Sequence, residues 1–146
     1  MTIPMEMKSK FSSDIETLKE LMYDEAYDAK YCADLARRRC SQAAAGLLMQ
    51  MSREEACHLC RLQAEYYILT GSKFQPCVAN VNIPCNFLDA LRELYHGEVR
   101  DAEIYLDAAA ATADPRLSEL YTCLSAEEAG HADEIACLIT SCMCSG

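Results

Sequence analysis

The chain has 146 residues, 51% of them apolar, with 13 basic against 23 acidic side chains and a net charge of −10. That composition excludes a disordered chain, and the acidity argues against a nucleic-acid or anionic-membrane partner, since both require a basic patch. Arg37-Arg38-Arg39 is the one dense basic run and is too short to reverse the balance.

Helical periodicity organises the chain into four segments. Ser13 precedes a run with Ile15, Leu18, Leu21, Met22, Ala26, Ala29 and Ala33 at helical spacing, so the first helix is expected to begin there. A second run carries Leu47, Leu48, Met51, Leu59, Leu62 and Tyr66 and stops at Thr70-Gly71. A third opens after Asn86 with Leu88, Leu91, Leu94, Ala102, Tyr105 and Ala109. Asp114-Pro115 is a capping residue followed by a first-turn proline, and it opens a fourth helix expected to reach about Ser141. No sustained period-two alternation is present. The fold class is all-α.

Between the second and third helices, residues 71–85 contain Pro76 and Pro84. Fifteen extended residues reach about 50 Å, whereas a 27-residue helix is about 40 Å long. The segment can therefore run the length of a four-helix bundle and leave the second and third helices parallel. Cys85 would then share one end of the bundle with Cys142 and Cys144, as separate reduced thiols or as a thiolate site.

A shift of 73 residues, half the chain, superposes residues 18–58 on 91–131 with 14 of 41 positions identical. The matches include Leu18/Leu91, Glu25/Glu98, Asp28/Asp101, Ser52/Ser125, Glu54/Glu127, Glu55/Glu128 and His58/His131. The 146 residues read as one domain built from a duplicated helical hairpin. Each copy has a glutamate, then, thirty residues on, Glu-x-x-His. Glu25 and Glu55 are equidistant from the turn at Cys40-Ser41, and Glu98 and Glu128 from the turn at Ala113-Asp114. Residues equidistant from an antiparallel turn lie at one level, so all four glutamates can meet in one layer. His58 and His131 follow one helical turn along the same faces.

Four carboxylates desolvated together either take up protons or need cations. Two divalent metals balance four negative charges, and each histidine adds a neutral nitrogen. The expected ligands are Glu25, Glu55, His58, Glu98, Glu128 and His131, with Glu55 and Glu128 bridging and each histidine capping one metal. An oxygen-rich set with two imidazoles suits iron or manganese better than a thiophilic metal. The alternative is a metal-free bundle carrying inherited, solvent-facing Glu–His pairs.

Asp28 and Asp101 follow Glu25 and Glu98 by three residues. They read as partners of a ligating histidine, as an extra ligand (Asp101), or as solvated rim charges. His96 points about 200° away from Glu98 and is expected at the surface. Tyr27, Tyr31, Tyr105 and Tyr121 read as core packing or as hydrogen-bond donors to ligands. Ten cysteines fall short of a disulfide scaffold. The one C-x-x-C, Cys57 to Cys60, lies within a helical pattern, with no second pair to complete a zinc ribbon. The start MTIPMEMKSKF lacks the apolar core of a secretory signal, and no stretch approaches the roughly eighteen apolar residues of a membrane span. A soluble, cytoplasmic protein with reduced thiols is expected.

The ligand set is similar to that of ferritin-like di-iron and di-manganese carboxylate proteins. Through MYDEAYDAKY, SREEACHLC, HGEVRDAEIY and SAEEAGHADEI, residues 14–141 resemble the rubrerythrin branch of that superfamily. The resemblance implies a ferritin-like four-helix bundle with one long crossover. It also implies a non-haem di-iron centre that reduces hydrogen peroxide or dioxygen. Asp101 stands where that group tends to carry an additional glutamate. The rubredoxin domain of full-length rubrerythrins is absent from the sequence, so a separate protein or thiol is the expected electron donor. A homodimer is the expected assembly. The competing functional reading is a non-catalytic bundle that stores, buffers or senses metal.

Overall fold

Helices form wherever proline and glycine leave the chain uninterrupted. The computed structural model describes residues 5–38 and 41–145, with side chains from residue 13 onward. The described residues form four helices: α1 (Met5–Ala36), α2 (Gln42–Thr70), α3 (Phe87–Ala111) and α4 (Pro115–Cys144). The described residues contain no strand.

The caps explain most of the boundaries. Ser41, Asn86 and Asp114 each have extended backbone and a side-chain oxygen that accepts a hydrogen bond from an N–H in the following turn. Pro115 occupies the first turn of α4, where its missing N–H costs nothing. Gly71 closes α2 at φ 72°, a left-handed conformation that glycine adopts without penalty. Two boundaries differ from expectation. Helix α1 begins at Met5 rather than after Ser13, because no glycine or proline interrupts residues 5–36 and an exposed serine does not by itself stop a helix. Helix α4 continues past Ser141 to Cys144. The turn expected at Cys40-Ser41 is described only at Ser41, and Arg39 and Cys40 lie outside the described residues.

Each helix buries one seam. In α2 it runs Ala44, Leu48, Met51, Glu55, His58, Leu62 and Tyr66, in steps of three and four residues. In α4 the corresponding seam includes Leu117, Tyr121, Leu124, Glu128, His131 and Ile135. Two apolar clusters result. One contains Cys32, Leu35, Leu48, Met51, Leu91 and Ile135. The other contains Leu18, Met22, Leu62, Leu117, Tyr121 and Leu124. Each buried leucine or methionine contributes about 1.5–3 kcal/mol, so these clusters hold the bundle and the polar layer between them does not.

Most contact is within two hairpins, α1 with α2 and α3 with α4. Equivalent hydrogen bonds tie each hairpin. The Ser52 hydroxyl donates to the Ala29 carbonyl at 2.7 Å, and the Ser125 hydroxyl donates to the Ala102 carbonyl at 2.7 Å. Across hairpins, the Thr112 hydroxyl near the end of α3 donates to Asp14 near the beginning of α1 at 2.9 Å. At the other end, Tyr31 donates to the Ala90 carbonyl and to Glu93. Residues 71–86, without helix or strand, lie along the helices. Gln63 donates to the Phe74 carbonyl, Lys30 to the Ala79 carbonyl, and Arg38 to the Ile83 and Pro84 carbonyls. Among the described residues no helix is long and apolar enough to cross a membrane.

Candidate metal centre

Among the described residues seven polar or charged ones are buried, and six of these are the sequence-predicted ligands. Glu25, Glu55, His58, Glu98, Glu128 and His131 are each at most 3% exposed. They occupy seam positions that leucine or methionine fills one turn away, which is why the helices carry them inward. The seventh, Ser125, is the hairpin tie.

The six converge in two groups of four. Glu25, Glu55, His58 and Glu128 bring one potential ligand atom each to within 4.8 Å of one another, as do Glu55, Glu98, Glu128 and His131. Glu55 and Glu128 belong to both groups. Each histidine faces a glutamate of the opposite hairpin. His58 Nδ1 lies 2.8 Å from Glu128 and 3.4 Å from Glu25, and His131 Nδ1 lies 2.6 Å from Glu55 and 3.6 Å from Glu98.

The protein's own groups leave this layer unsatisfied. Both carboxylate oxygens of Glu55, Glu98 and Glu128, Oε2 of Glu25 and both histidine Nδ1 atoms are buried without a well-aligned hydrogen bond, the close Nδ1–carboxylate approaches being their one compensation. Orphaned acceptors at this density are costly, and a cation satisfies several at once. The site fits a metal ion in each group.

The electrostatics agree. Burial, then the charge of Glu25, pushes the Glu55 carboxyl well above its ordinary value. Burial raises Glu98 to about 7, and burial with the neighbouring Glu98 raises Glu128 to about 10. Burial opposes charging of His58, but Glu128 and Glu25 overcome it and raise the imidazole to about 10. Glu25 alone falls below its ordinary value, because the approach of His58 outweighs burial. Without metal, this layer holds protons that free glutamates would have released.

The structure adds residues that spacing did not single out. Glu127 lies 3.3 Å from His58 Nε2, and Glu54 lies 2.5 Å from His131 Nε2. A carboxylate on the outer imidazole nitrogen turns the inner nitrogen toward the metal. Glu54 is braced by Gln50 at 3.0 Å, and Glu127 by Arg61 at 3.1 Å. The doubled glutamate in both Glu-Glu-x-x-His strings was the available signal, but which imidazole each outer glutamate meets depends on how α2 and α4 cross. Tyr105 donates to Glu25 Oε1 at 2.5 Å. Its counterpart at the 73-residue offset, Cys32, is fully buried. Tyr121 is core, its ring tilted 35° against that of Tyr105 with centroids 6.1 Å apart. Tyr27 and Tyr31 bond elsewhere, to the connecting segment and to α3. His96 is exposed, edge-on to Tyr95.

The nine described cysteines are all free. Cys142 is partly buried and packs against the apolar cluster that contains Leu35, Leu91 and Ile135. Among the described residues no cysteine joins a group of three or more potential ligands.

No protein-family model and no curated protein matches the sequence. Among solved structures, the chain is similar to a hypothetical protein from Pyrococcus furiosus, with a TM-score of 0.75 and 19% identity over 95% of each chain. At that identity the likeness concerns the fold alone.

Proposed function

We propose that the protein is a dinuclear carboxylate oxidoreductase of the ferritin-like, rubrerythrin-like kind, which reduces hydrogen peroxide or dioxygen with two iron ions. The observation that carries this reading is the pair of overlapping groups, Glu25/Glu55/His58/Glu128 and Glu55/Glu98/Glu128/His131, buried together and orphaned of hydrogen bonds. Glu25, Glu55, His58, Glu98, Glu128 and His131 would hold the two metals, with Glu55 and Glu128 common to both groups. The donor set accommodates manganese as well, and iron rests on the resemblance of the motifs.

The architecture supports the same reading. Helix α1 is tied at Asp14 and at Tyr31 in the antiparallel sense to α3, and at Ala29 to its hairpin partner α2. Such ties support the reading of α2 and α3 as parallel and of residues 71–85 as a single long crossover. The matching Ser52 and Ser125 bonds support a duplicated hairpin.

Two ferrous ions, when bound, supply the two electrons that with two protons convert hydrogen peroxide to two waters. The chain's own work is placement and proton handling. Glu54 and Glu127 hold the imidazoles in the tautomer that presents Nδ1 inward. Tyr105 orients Glu25 through its hydroxyl. The two apolar clusters exclude bulk water from the layer between them. A separate protein or thiol would supply the electrons. A homodimer in a reducing, cytoplasmic setting completes the proposal, consistent with the nine described cysteines all being free.

The test is anaerobic iron loading followed by peroxide. The proposal expects about two irons per chain and peroxide consumption that a Glu128→Ala variant loses. Iron uptake with peroxide consumption no faster than in that variant would leave a storage or sensing protein and sink the oxidoreductase.

A further inference from the structure

The ligands recur across the 73-residue repeat, but the residues behind them do not. Gln50, Glu54, His58 and Arg61 of the first half correspond to Cys123, Glu127, His131 and Glu134 of the second. Each outer glutamate meets the histidine of the other half, and the two are braced differently. The Gln50 amide donates to Glu54 Oε1 at 3.0 Å, which leaves Oε2 for His131 Nε2 at 2.5 Å. The Arg61 guanidinium donates to Glu127 Oε2 at 3.1 Å, and this is the same oxygen that faces His58 Nε2 at 3.3 Å. Cys123, in the place of Gln50, is a further acceptor for Arg61, with Sγ 3.6 Å away.

A carboxylate on the outer nitrogen raises the basicity of a ligating imidazole. Glu54, braced by a neutral amide through its other oxygen, does this fully for His131. At His58 the guanidinium is the stronger, charge-assisted donor and takes the oxygen that the imidazole would use. The contact is accordingly longer. The remaining glutamates are unequal in the same sense. Tyr105 occupies Glu25 Oε1 at 2.5 Å, whereas neither oxygen of Glu98 has a well-aligned hydrogen bond. Cys32, which repeats Tyr105, is buried in an apolar cluster and is too short to supply the missing bond. Glu98 therefore offers two free oxygens and Glu25 one.

We propose that the two metal positions are unequal, that the Glu55/Glu98/Glu128/His131 position binds its divalent ion more tightly and fills first, and that Arg61 is a positioning residue that weakens the other by drawing Glu127 away from His58. This rests on reading the two Glu/His groups as metal sites. Two-electron chemistry needs both ions, so the weaker position sets the metal concentration at which the protein becomes competent.

Titration of the metal-free full chain with Mn(II), counting free ion by electron paramagnetic resonance, tests this. Shared Glu55 and Glu128 separate the two binding steps in any case, so the location of the first ion carries the test. First-ion affinity should be unchanged in His58→Ala and at least about tenfold weaker in His131→Ala. Equal losses in the two variants, or the larger loss in His58→Ala, overturn the inequality, while two ions bound to the wild type keep the dinuclear reading standing. The Arg61 side chain is 41% exposed, so Arg61→Gln leaves the core intact. It should tighten the second ion by about tenfold, a gain that structural damage does not produce. Unchanged or weaker second-ion binding in Arg61→Gln overturns the role of Arg61, and that titration decides alone if the histidine variants do not fold. A single wild-type ion that is lost in His131→Ala upholds the stronger position and overturns the dinuclear reading. A single ion lost in His58→Ala, or no bound ion, overturns both.

Discussion

The imidazoles of His58 and His131 lie nearly parallel, 17° apart in plane and 5.8 Å between centroids. They occupy equivalent positions in the two halves of the chain, and each directs Nδ1 at the other half's Glu-x-x-His glutamate. The site is therefore shared between hairpins, and neither hairpin alone encloses it. Stability, metal binding and proton uptake are coupled through this one layer.

Replacing Glu128 with glutamine removes a fully buried group from a crowded acidic layer. The metal-free variant should be more stable than the metal-free parent at about pH 8, by roughly 1–4 kcal/mol. The gain in melting temperature on adding metal should largely vanish. Calorimetry with and without metal measures both, and a Glu128→Gln chain less stable than its metal-free parent would contradict the picture of an unsatisfied carboxylate.

Stability should depend on pH in opposite senses with and without metal. Glu98 is held at about 7 against an ordinary 4.5, so between these values the folded chain keeps a proton that the unfolded chain has released. Stability of the metal-free protein therefore falls as pH rises through that window, by roughly 3 kcal/mol from this group. Glu128, held at about 10, acts in the same direction. So does His58, whose contribution is complete below 6.5 and is lost as pH rises toward about 10. Glu25 is lowered, and its contribution is lost only as pH falls below its ordinary 4.5. Metal binding requires the released protons, so the loaded protein gains with pH. The metal-free melting temperature should drop by roughly 10 °C from about pH 5 to pH 8. A metal-free curve that climbs across this range is incompatible with protons held in the layer.

The outer glutamates should matter for affinity more than for folding. Glu54→Ala and Glu127→Ala remove partly exposed side chains that touch the imidazole Nε2 atoms. Each is expected to weaken metal binding by about 10- to 100-fold, with little change in the melting temperature of the metal-free chain. Competition against a chelator of known affinity reads the effect. Unchanged affinity in both variants would remove Glu54 and Glu127 from the histidine-orienting role.

Ser52→Ala and Ser125→Ala should each cost about 1 kcal/mol, the ordinary worth of a hydroxyl-to-carbonyl bond. Because the two bonds have the same length and equivalent partners, the losses should be nearly equal. They should also add in the double variant, since the two ties lie in different hairpins. Urea unfolding of the three variants measures this, and strongly unequal losses would show that the halves no longer share one packing scheme.

Much of this protein is readable along its helices, because period and caps are local. Asn86, Asp114 and Gly71 bound helices through their own hydrogen bonds or backbone angle. Glu25, Glu55, His58, Glu98, Glu128 and His131 are legible because each falls on a buried seam and recurs 73 residues later. The start of α1 was not, because Ser13 has the chemistry of a cap without a chain break to enforce one.

What the linear order alone determined is the helix count, the repeat and the level at which the ligands sit, since rise per residue converts position into height. What tertiary packing decided is direction around and between helices. It selected Glu128 for His58 and Glu55 for His131, placed Glu54 and Glu127 behind the imidazoles, and set Tyr105 on Glu25. It also brought Asp28 and Asp101 face to face over Glu128. These pairings span helices, so they depend on interaxial distance and rotation. Side-chain volumes in the two apolar clusters set those quantities, and spacing along one helix does not.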